Sequence, residues 1–472
     1  MSMMDKDLLS IQEARILVET ARDSHFLINE YKQENLDTIV SEILIQANKQ
    51  VDWLIKEEVK ETALGNSEDK ILLAEKLFPI WKENLLNEKV IGILNQKSNG
   101  KIQQIGVSLG VIVTILPAEN IVLNTIYATL IAAKSGNTIL FVPNKKAINA
   151  TLHIVDWLSK ICEKFSLPKD FIGCMENVSM EGVHELMVHQ DTALVIDIDC
   201  PEYIDTTHLT GKPIIYGGAG STPVFIEKSA DVKKAVGQII KSRSYDNGLL
   251  PAAEQYVIAE SSIAKVVKEE MLGAGAHFMT RAEEKKLVDC FEWNQCRDRL
   301  VGKTAYELAR KAGFIVAEDT SVLVSEQDYI FDENPFAREL KCPILTFYLE
   351  PDWIHACEKC LDLLGKWRIG HTLAIHSRDT KIIEEFAIKK PVGRMIVNNA
   401  ASFASLGVDS TLTSSMILGA MTTGRGITTK NVTAEDLTYV RQIGYPTVKN
   451  NEKQEKVSQA ALEKLLSKLL TE

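Results

Sequence analysis

Several residues of types that carry chemistry in other proteins occur in this chain at short spacings. Cys357 and Cys360 form a CxxC pair, Gly302-Lys303-Thr304 resembles the end of a phosphate-binding loop, and His371 and His376 flank a strand-like run. Each pattern is incomplete, because a zinc site needs a second ligand pair and the position of the loop's first glycine is arginine. We therefore predict no metal site and no such phosphate loop, and we expect His371 to be structural.

The composition of the chain narrows the class of protein. The eight cysteines are scattered through 472 residues, which favours a reducing compartment over a disulfide framework. A formal net charge of -11 without a Lys/Arg stripe argues against a nucleic-acid partner. The first residues are charged and lack the apolar core of a signal peptide, and the longest apolar run, 105–116, is too short to cross a bilayer. We expect a cytoplasmic protein with no membrane partner.

The apolar pattern predicts an α/β fold with two domains. Residues 6–95 have mainly helical spacing, and from about residue 105 buried strands such as TILFVP alternate with helices such as ATLHIVDWLSKICEKF. This alternation is typical of a doubly wound parallel sheet. It repeats later in the chain, with FIVAED, CPILTFYL, TLAIHS and RMIVNN as predicted strands. We place the first domain at 1–240 and the second at 241–425.

The end of the chain has a different character. A polar linker and an amphipathic helix are predicted within 446–472, with four leucines at positions i, i+3, i+4 and i+7. Two interpretations stay open. The helix packs on its own domain or a neighbouring subunit, or it is a docking peptide for another protein. The leucines are Leu462, Leu465, Leu466 and Leu469.

The run SYDNGLLPAAEQYVIAE, which begins at Ser244, carries a dense set of polar residues. It resembles the nucleophile loop of the CoA-acylating aldehyde dehydrogenases, which reads roughly D-N-G-x-x-C-A-S-E-Q. The alignment has no gap, and the cysteine position falls on Pro251 while the serine position falls on Ala253. The matching residues are Asp246, Asn247, Gly248, Ala252, Glu254 and Gln255.

Other segments resemble the same family in the same order, from about residue 5 to residue 445. GVIVTILPAENIVLNTIYATLIAAKSGNTILFVP puts Asn120 in the position of the oxyanion asparagine, and NPFARELKCPILTFY puts Glu339 where the nicotinamide ribose is held. GKPIIYGGAGSTPVFIEKSADV and GHTLAIHS resemble two further family segments. The resemblance implies two doubly wound α/β domains and a β arm for oligomerisation. That arm would include a strand at about 98–110 and the segment 426–445.

The chemistry of that family needs a cysteine. Its thiolate attacks the aldehyde, hydride passes to NAD, and the thioester passes to CoA. The oxyanion is stabilised by an asparagine amide and by the backbone N–H of the cysteine. Pro251 supplies neither a thiol nor an N–H, and loss of one oxyanion donor alone costs about 10²–10³ in rate. We therefore predict a catalytically dead or severely impaired protein.

The resemblance implies NAD(P) and CoA as cofactors, but the cofactor cleft departs from the family pattern. Two family glycines are replaced by Asp199 and Cys200, and a third by Tyr216. Because glycine permits close approach of backbone to a ligand, the nicotinamide end is predicted to be obstructed. Cys200 is a candidate for a substitute thiol near this pocket, and drift in an unused pocket is the alternative. The cofactor positions implied by the resemblance are Pro117, Pro143, Lys145, Asp199, Gly218, Gly220 and Glu339.

Two functions stay open. The chain is a structural, regulatory or scaffold subunit, alone or with an active paralogue, or it is an active NAD-dependent oxidoreductase on a small aldehyde such as acetaldehyde or propionaldehyde. Family members form dimers or tetramers, so at least a dimer is expected. The C-terminal helix resembles the encapsulation peptides that direct such enzymes into bacterial microcompartments. This implies a shell protein as the partner of residues 456–472.

Overall fold

A computed structural model describes residues 5–165, 167–203, 210–217, 220–291, 299–331, 334–366, 370–424, 426–446, 461–468 and 470. The helices and strands follow one another in this order: α1 Lys6–Ile28, α2 Gln33–Thr62, α3 Ser67–Asn87, β1 Gly92–Gln96, β2 Ile102–Ser108, β3 Val111–Ile115, α4 Ile121–Lys134, β4 Thr138–Val142, α5 Ile148–Lys164, β5 Ile172–Cys174, α6 Met180–Val188, β6 Thr192–Ile198, β7 Ile214–Gly217, β8 Thr222–Ile226, α7 Val232–Ser244, β9 Glu254–Glu260, α8 Ala264–Gly273, β10 Ala276–Phe278, α9 Arg281–Cys290, α10 Ala305–Ala312, β11 Val322–Glu326, β12 Ile344–Glu350, α11 Trp353–Lys366, β13 Thr372–His376, α12 Thr380–Lys389, β14 Arg394–Val397, α13 Ala401–Ser405 and β15 Thr438–Gln442. A further helix, α14, covers 461–468.

The first sheet has five parallel strands in the order β5-β4-β3-β6-β7. Its central strands β3 and β4 are buried at every residue, as their unbroken β-branched and aromatic sequences require. Helix α4, which joins these two strands, is also buried on all sides. It lies in the same core as α2 and α3 of the N-terminal helical segment. The predicted parallel α/β architecture is confirmed.

The second sheet has seven parallel strands in the order β10-β11-β12-β9-β8-β13-β14. It contains β8, which lies before the predicted domain boundary at 240/241. The chain therefore leaves the first sheet after β7 and enters the second at Thr222. The predicted strand FIVAED is wrong: the strand in this part of the chain is β11 at Val322–Glu326, because Phe314 packs after the left-handed helix cap at Gly313 instead of entering the sheet.

The third sheet is antiparallel and joins distant parts of the chain, in the order β1-β2-β15. Strands β2 and β15 fall within the two segments, 98–110 and 426–445, that were predicted to form an arm. Strand β1 lies inside the stretch 6–95 that was predicted to be helical. The helical part of that stretch ends with α3 at Asn87, and the residues after it form β1. The pairing of β1 with β2 contains two register irregularities.

The described part of the C-terminal helix, 461–468, is exposed along its whole length. Leu462, Leu465 and Leu466 are 61%, 64% and 52% exposed, and the nearby Leu470 is 83% exposed. Leu469 lies outside the described residues. The apolar stripe of this helix is therefore not covered by the described body of the same chain. Packing on a neighbouring subunit and docking on another protein both stay open.

Candidate active site

The candidate site lies where loops from both large sheets meet. An inner cavity of about 60 Å³ lies between the loop after β3, the loop after β6, the loop before β9 and the segment before β12. The carboxyl ends of parallel strands are the usual place for a site in open α/β sheets. The predicted site residues that line the inner cavity are Pro117, Asn120, Asp199, Gly220, Pro251 and Glu339.

The loop that carries Pro251 has an unusual backbone. Asp246, Asn247 and Ala252 have positive φ values of 49°, 54° and 60°, and Gly248 has 79°. A Cβ atom at Gly248 would lie 2.7 Å from the carbonyl carbon of Cys342, so only glycine fits there. Non-glycine residues in this region are strained and persist only where the surroundings fix them. The loop therefore needs a strong support.

Lys70 of α3 provides that support, although the sequence reasoning missed it. Its Nζ lies 2.8 Å from Asp246 Oδ2, 3.3 Å from Glu58 Oε1 and 2.9 Å from Asn120 Oδ1, and its side chain is 1% exposed. Burial opposes the charged form, but Asp246 and Glu58 outweigh it and raise the pKa of Lys70. Burial raises the pKa of Asp246 to about 6, against the pull of Lys70. We call these four side chains the Lys70 network.

The Lys70 network also fixes Asn120. Because Asn120 Oδ1 accepts a hydrogen bond from Lys70, the donor Nδ2 points away from Lys70, and Asn120 lines the inner cavity. Its φ of 54° is also left-handed. Helix α4 starts directly after it, and Glu58 Oε2 accepts the N–H of Val122 in the first turn of that helix. The side chain that was predicted to stabilise an oxyanion is thus held in place.

Four charged side chains separate the inner cavity from a larger space outside it. Lys341 Nζ lies 2.5 Å from Asp199 Oδ2 and 3.1 Å from Glu119 Oε1, and Glu339 is two residues away in the same segment. We call these four residues the junction. Burial opposes the charge of Lys341, but Asp199, Glu119 and Glu339 raise its pKa well above the usual range. Burial and Asp199 raise the pKa of Glu339 to about 7, partly offset by Lys341.

The space outside the junction is an outer cleft of about 570 Å³. Pro117, Asp199 and Glu339 line both spaces, whereas Pro143 and Lys145 line only the outer cleft and Gly220 lines only the inner cavity. Gly218 lies outside the described residues. The structure therefore brings the predicted catalytic and cofactor residues into one region, but it divides them between two spaces.

Cys200 is not a substitute nucleophile. It is 2% exposed in an apolar cluster of the first domain, and burial raises its pKa well above the usual range. Among the described residues, neither Cys200 nor Tyr216 lines the inner cavity or the outer cleft. Tyr216 packs against Ala420. Of the departures predicted to obstruct the pocket, Asp199 is therefore the one that the structure places there.

The other sequence signals have structural roles. Thr304 of the GKT run caps α10 by accepting the N–H of Glu307, so the run does not cradle a phosphate. His371 Nδ1 lies 2.7 Å from Thr372 Oγ1 and 2.9 Å from Arg394 Nη1 in a buried position. Its ring packs so closely on Gly220 that a Cβ there would lie 2.3 Å from Nε2.

No group of three or more His, Cys, Asp or Glu side chains in the described part of the chain is arranged to hold a metal ion. None of the helices there combines the length and apolar character needed to cross a bilayer.

The fold and the site together define a two-domain α/β protein with a nucleophile-type loop at the interface of its two large sheets. The sequence profile of the aldehyde dehydrogenase family matches residues 32–285. A probable aldehyde dehydrogenase from Listeria monocytogenes EGD-e has the same fold, with a TM-score of 0.91 and 34% identity over 95% of this chain and 100% of that one. The chain belongs to the aldehyde dehydrogenase family.

Two other relatives are of the acylating or bifunctional kind. An acetylating aldehyde dehydrogenase from Geobacillus thermoglucosidasius superposes with a TM-score of 0.88 and 31% identity, over 94% of this chain and 99% of that one. The bifunctional aldehyde-alcohol dehydrogenase AdhE of Escherichia coli K12 is 30% identical over 90% of this chain but only 48% of its own length. The chain thus spans about half the length of the first curated relatives it matches.

Proposed function

We propose that this chain is a homologue of the CoA-acylating aldehyde dehydrogenases that has lost their covalent chemistry and acts as a non-catalytic subunit of an assembly. The observation that carries the proposal is Pro251 in the loop that lines the inner cavity. The likeness of the chain to an acetylating aldehyde dehydrogenase over nearly its whole length supports its assignment to the acylating type. Thioester chemistry needs a thiolate beside the oxyanion donors. Pro251 can provide neither the thiolate nor a backbone donor.

The poor fit of the family's dinucleotide cofactor to the inner cavity supports the same proposal. The inner cavity holds about 60 Å³, whereas pockets for small ligands typically span about 300–1,000 Å³. The Lys341–Asp199 ion pair lies at its entrance, with Glu119 on the other side of Lys341. An oxidised nicotinamide ring is cationic, and the carboxylates that could face it already contact the Lys341 ammonium. The residues present therefore do not fit the nicotinamide end of NAD(P).

The rest of the cleft is compatible with a nucleotide-bearing ligand. The outer cleft of about 570 Å³ lies within the usual range for such sites. Lys145 at its rim and Pro143 in its wall are the residues that would contact the ligand there. Retention of CoA or acyl-CoA without turnover is the role we assign to this cleft.

An active oxidoreductase is the second candidate, and one observation favours it. The Lys70 network still orients Asn120, so half of an oxyanion site is in place. Turnover by this route would need a nucleophile from elsewhere. Among the described cysteines none lines the inner cavity.

The decisive experiment compares the natural protein with Pro251→Cys and Pro251→Ala. NADH formation is measured with acetaldehyde, CoA and NAD, and the thiol at position 251 is located by iodoacetamide labelling and peptide mapping. We expect no NADH from the natural protein or from Pro251→Ala, which restores the N–H without a thiol. Pro251→Cys is expected to be alkylated yet to form little NADH, because the junction stays closed. Turnover by the natural protein would overturn the proposal.

The assembly role rests on two exposed features. The outer strands of the arm sheet expose Ile93, Tyr439 and Val440 at 38%, 44% and 46%, which supports an oligomer of at least two chains. Sedimentation as a monomer at micromolar concentration would contradict it.

The exposed leucines of α14 support a docking role, with a microcompartment shell protein as partner. Deletion of residues 450–472 should abolish co-localisation with shell proteins while leaving the oligomer intact, and unchanged localisation would exclude this partner.

A further inference from the structure

We propose that Cys357 and Lys390 form an oxidative cross-linking site, at which dioxygen or hydrogen peroxide joins Cys357 Sγ to Lys390 Nζ through one oxygen atom. This site lies in the second domain, apart from the inner cavity and the outer cleft. It is therefore independent of the proposed function. Cys357 belongs to the CxxC pair on α11, and Lys390 is the C-cap residue that follows α12.

The two reacting atoms lie unusually close together. Lys390 Nζ lies 2.6 Å from Cys357 Sγ and 2.6 Å from the carbonyl oxygen of the same residue. Ordinary N–H···O hydrogen bonds measure about 2.7–3.2 Å, and those to the larger sulfur atom are longer. The contact with Sγ is therefore closer than hydrogen bonding requires, and it leaves the two atoms separated by little more than the span of one bridging oxygen.

Lys390 is a buried lysine. Its side chain is 7% exposed, and the Phe386 ring centroid lies 4.6 Å from Nζ. Among the described residues no carboxylate forms an ion pair with it within 4.0 Å. A buried ammonium group without an anion is costly. Cys357 supplies the side-chain contact that Lys390 Nζ makes at this site.

The position of Lys390 favours oxidation at Cys357. A lysine beside a cysteine promotes the reactive thiolate form, whose first oxidation product is a sulfenic acid. A second oxidising equivalent then joins the sulfenic oxygen to Lys390 Nζ, and the O–H and N–H hydrogens that are lost leave in water. Cys357 is 5% exposed, so the pair lies just below the surface, where a small oxidant reaches it and a bulky reagent does not.

The reaction balances with either oxidant. With dioxygen, the thiol and the amine lose two hydrogens, one oxygen atom becomes the S–O–N bridge and the other leaves as water. Sulfur and nitrogen each lose two electrons, and dioxygen accepts all four. With hydrogen peroxide, two molecules are consumed and three waters form. Reduction by excess dithiothreitol reverses the step and releases the bridging oxygen as water.

Cys360 provides the matched control on the same helix. It is fully buried, and burial raises the pKa of its thiol to about 12. Among the described residues it forms no hydrogen bond with Lys390 Nζ, whereas Cys357 does. Oxidation of the CxxC pair alone would give a disulfide, which loses two hydrogens and gains no oxygen. A sulfenic acid gains one oxygen and loses no hydrogen, so each product has its own mass.

The experiment is mass spectrometry of the full-length protein before and after exposure to hydrogen peroxide. We expect a gain of one oxygen with loss of two hydrogens, located by peptide mapping to a linked pair of peptides containing Cys357 and Lys390. Dithiothreitol should reverse it. Cys360→Ser should retain the product, whereas Cys357→Ser and Lys390→Arg should lose it.

The proposal is overturned by a Cys357–Cys360 disulfide, by a sulfenic or higher acid alone, or by no modification. A product that survives in Lys390→Arg would overturn it as well. Because peptide mapping of the natural protein locates the link directly, the test does not depend on whether the lysine variant folds. A second readout is thermal unfolding, for which the cross-linked protein should have the higher midpoint because α11 and α12 pack on one face of the second sheet.

Discussion

The inner cavity and the outer cleft meet at the junction but differ in almost every physical respect. The inner cavity holds about 60 Å³ and the outer cleft about 570 Å³. The charges around the inner cavity, such as Lys70 and Asp246, are buried and paired, whereas Lys145 at the outer cleft is exposed. This contrast shows that the inner charges support the loop and its asparagine, and that Lys145 on the outer side is exposed to solvent and accessible to a ligand. Substitutions should therefore have large effects on the inner side and small ones on the outer side.

The largest effect should come from Lys70→Met, which removes the cation of the Lys70 network. Two buried carboxylates, Glu58 and Asp246, would lose their common partner. Breaking a buried ion pair in this way typically costs about 3–5 kcal/mol. The free energy of unfolding, measured in urea, should fall by that order.

The control for Lys70 is Lys60→Met. Lys60 pairs with Glu57 on the surface and is 77% exposed, and exposed pairs contribute only about 0–1 kcal/mol. Equal unfolding midpoints for the two variants would contradict the structural role assigned to the Lys70 network.

The second prediction concerns Glu254, which ends the nucleophile-type loop and is fully buried. Burial raises its pKa to about 7, partly offset by hydrogen bonds from Ser242 and Ala401. The folded state keeps this proton up to a higher pH than the unfolded state, so Glu254 makes the protein less stable as pH rises from about 4.5 to 7.

Glu254→Gln removes that dependence. Relative to the natural protein, the variant should gain about 3 kcal/mol of unfolding free energy between pH 5 and pH 8. Urea unfolding at the two pH values measures it. Glu269→Gln, at a side chain 63% exposed on α8, is the control and should show no such gain. A gain equal to that of the control would mean that Glu254 ionises normally in the fold.

The third prediction opens the junction with Asp199→Gly and Lys341→Leu together. The two charges of the Lys341–Asp199 pair are removed together, and Glu119 loses only its contact with Lys341. Calorimetric titration with NAD should show binding at least tenfold tighter than for the natural protein, or about 1.4 kcal/mol. The single variant Asp199→Gly is the comparison, and it should bind no better than the natural protein because the Lys341 cation stays. No gain in the double variant would show that the junction is not the obstacle.

The parts of this molecule that could be predicted from sequence are those with a local signature. Continuous apolar runs identified β3, β4 and three of the seven strands of the second sheet, β12, β13 and β14, because a strand buried in a sheet must be largely apolar. The run FIVAED was wrongly predicted to be a strand, since an apolar segment after a helix cap can pack as a loop. The entry of β8 into the second sheet was missed because a single strand does not reveal its sheet.

Residues of the candidate site could be predicted only where they belong to a sequence motif of the family. Pro251, Asn120 and Glu339 were found in this way, and they line one cavity. Lys70 was missed although the sequence held a signal: it occupies the apolar stripe of α3 with Leu73, Ala74 and Leu77, and all four are buried. A lysine at such spacing must find a buried anion. Lys341 carried no comparable signal, because its partners Glu119 and Asp199 come from loops far away in sequence.

The smallest effect should come from Lys145→Met at the rim of the outer cleft. Lys145 is exposed, so any contact with a ligand phosphate is screened by water and worth about 0–1 kcal/mol. In the Asp199→Gly, Lys341→Leu background, NAD affinity should therefore fall by no more than about fivefold. The dependence on salt should weaken, because one cation is lost. Calorimetric titrations at low and high salt measure both. A loss of a hundredfold would instead make the outer rim the main determinant of affinity, and the contrast between an inner side of large effects and an outer side of small ones would no longer hold.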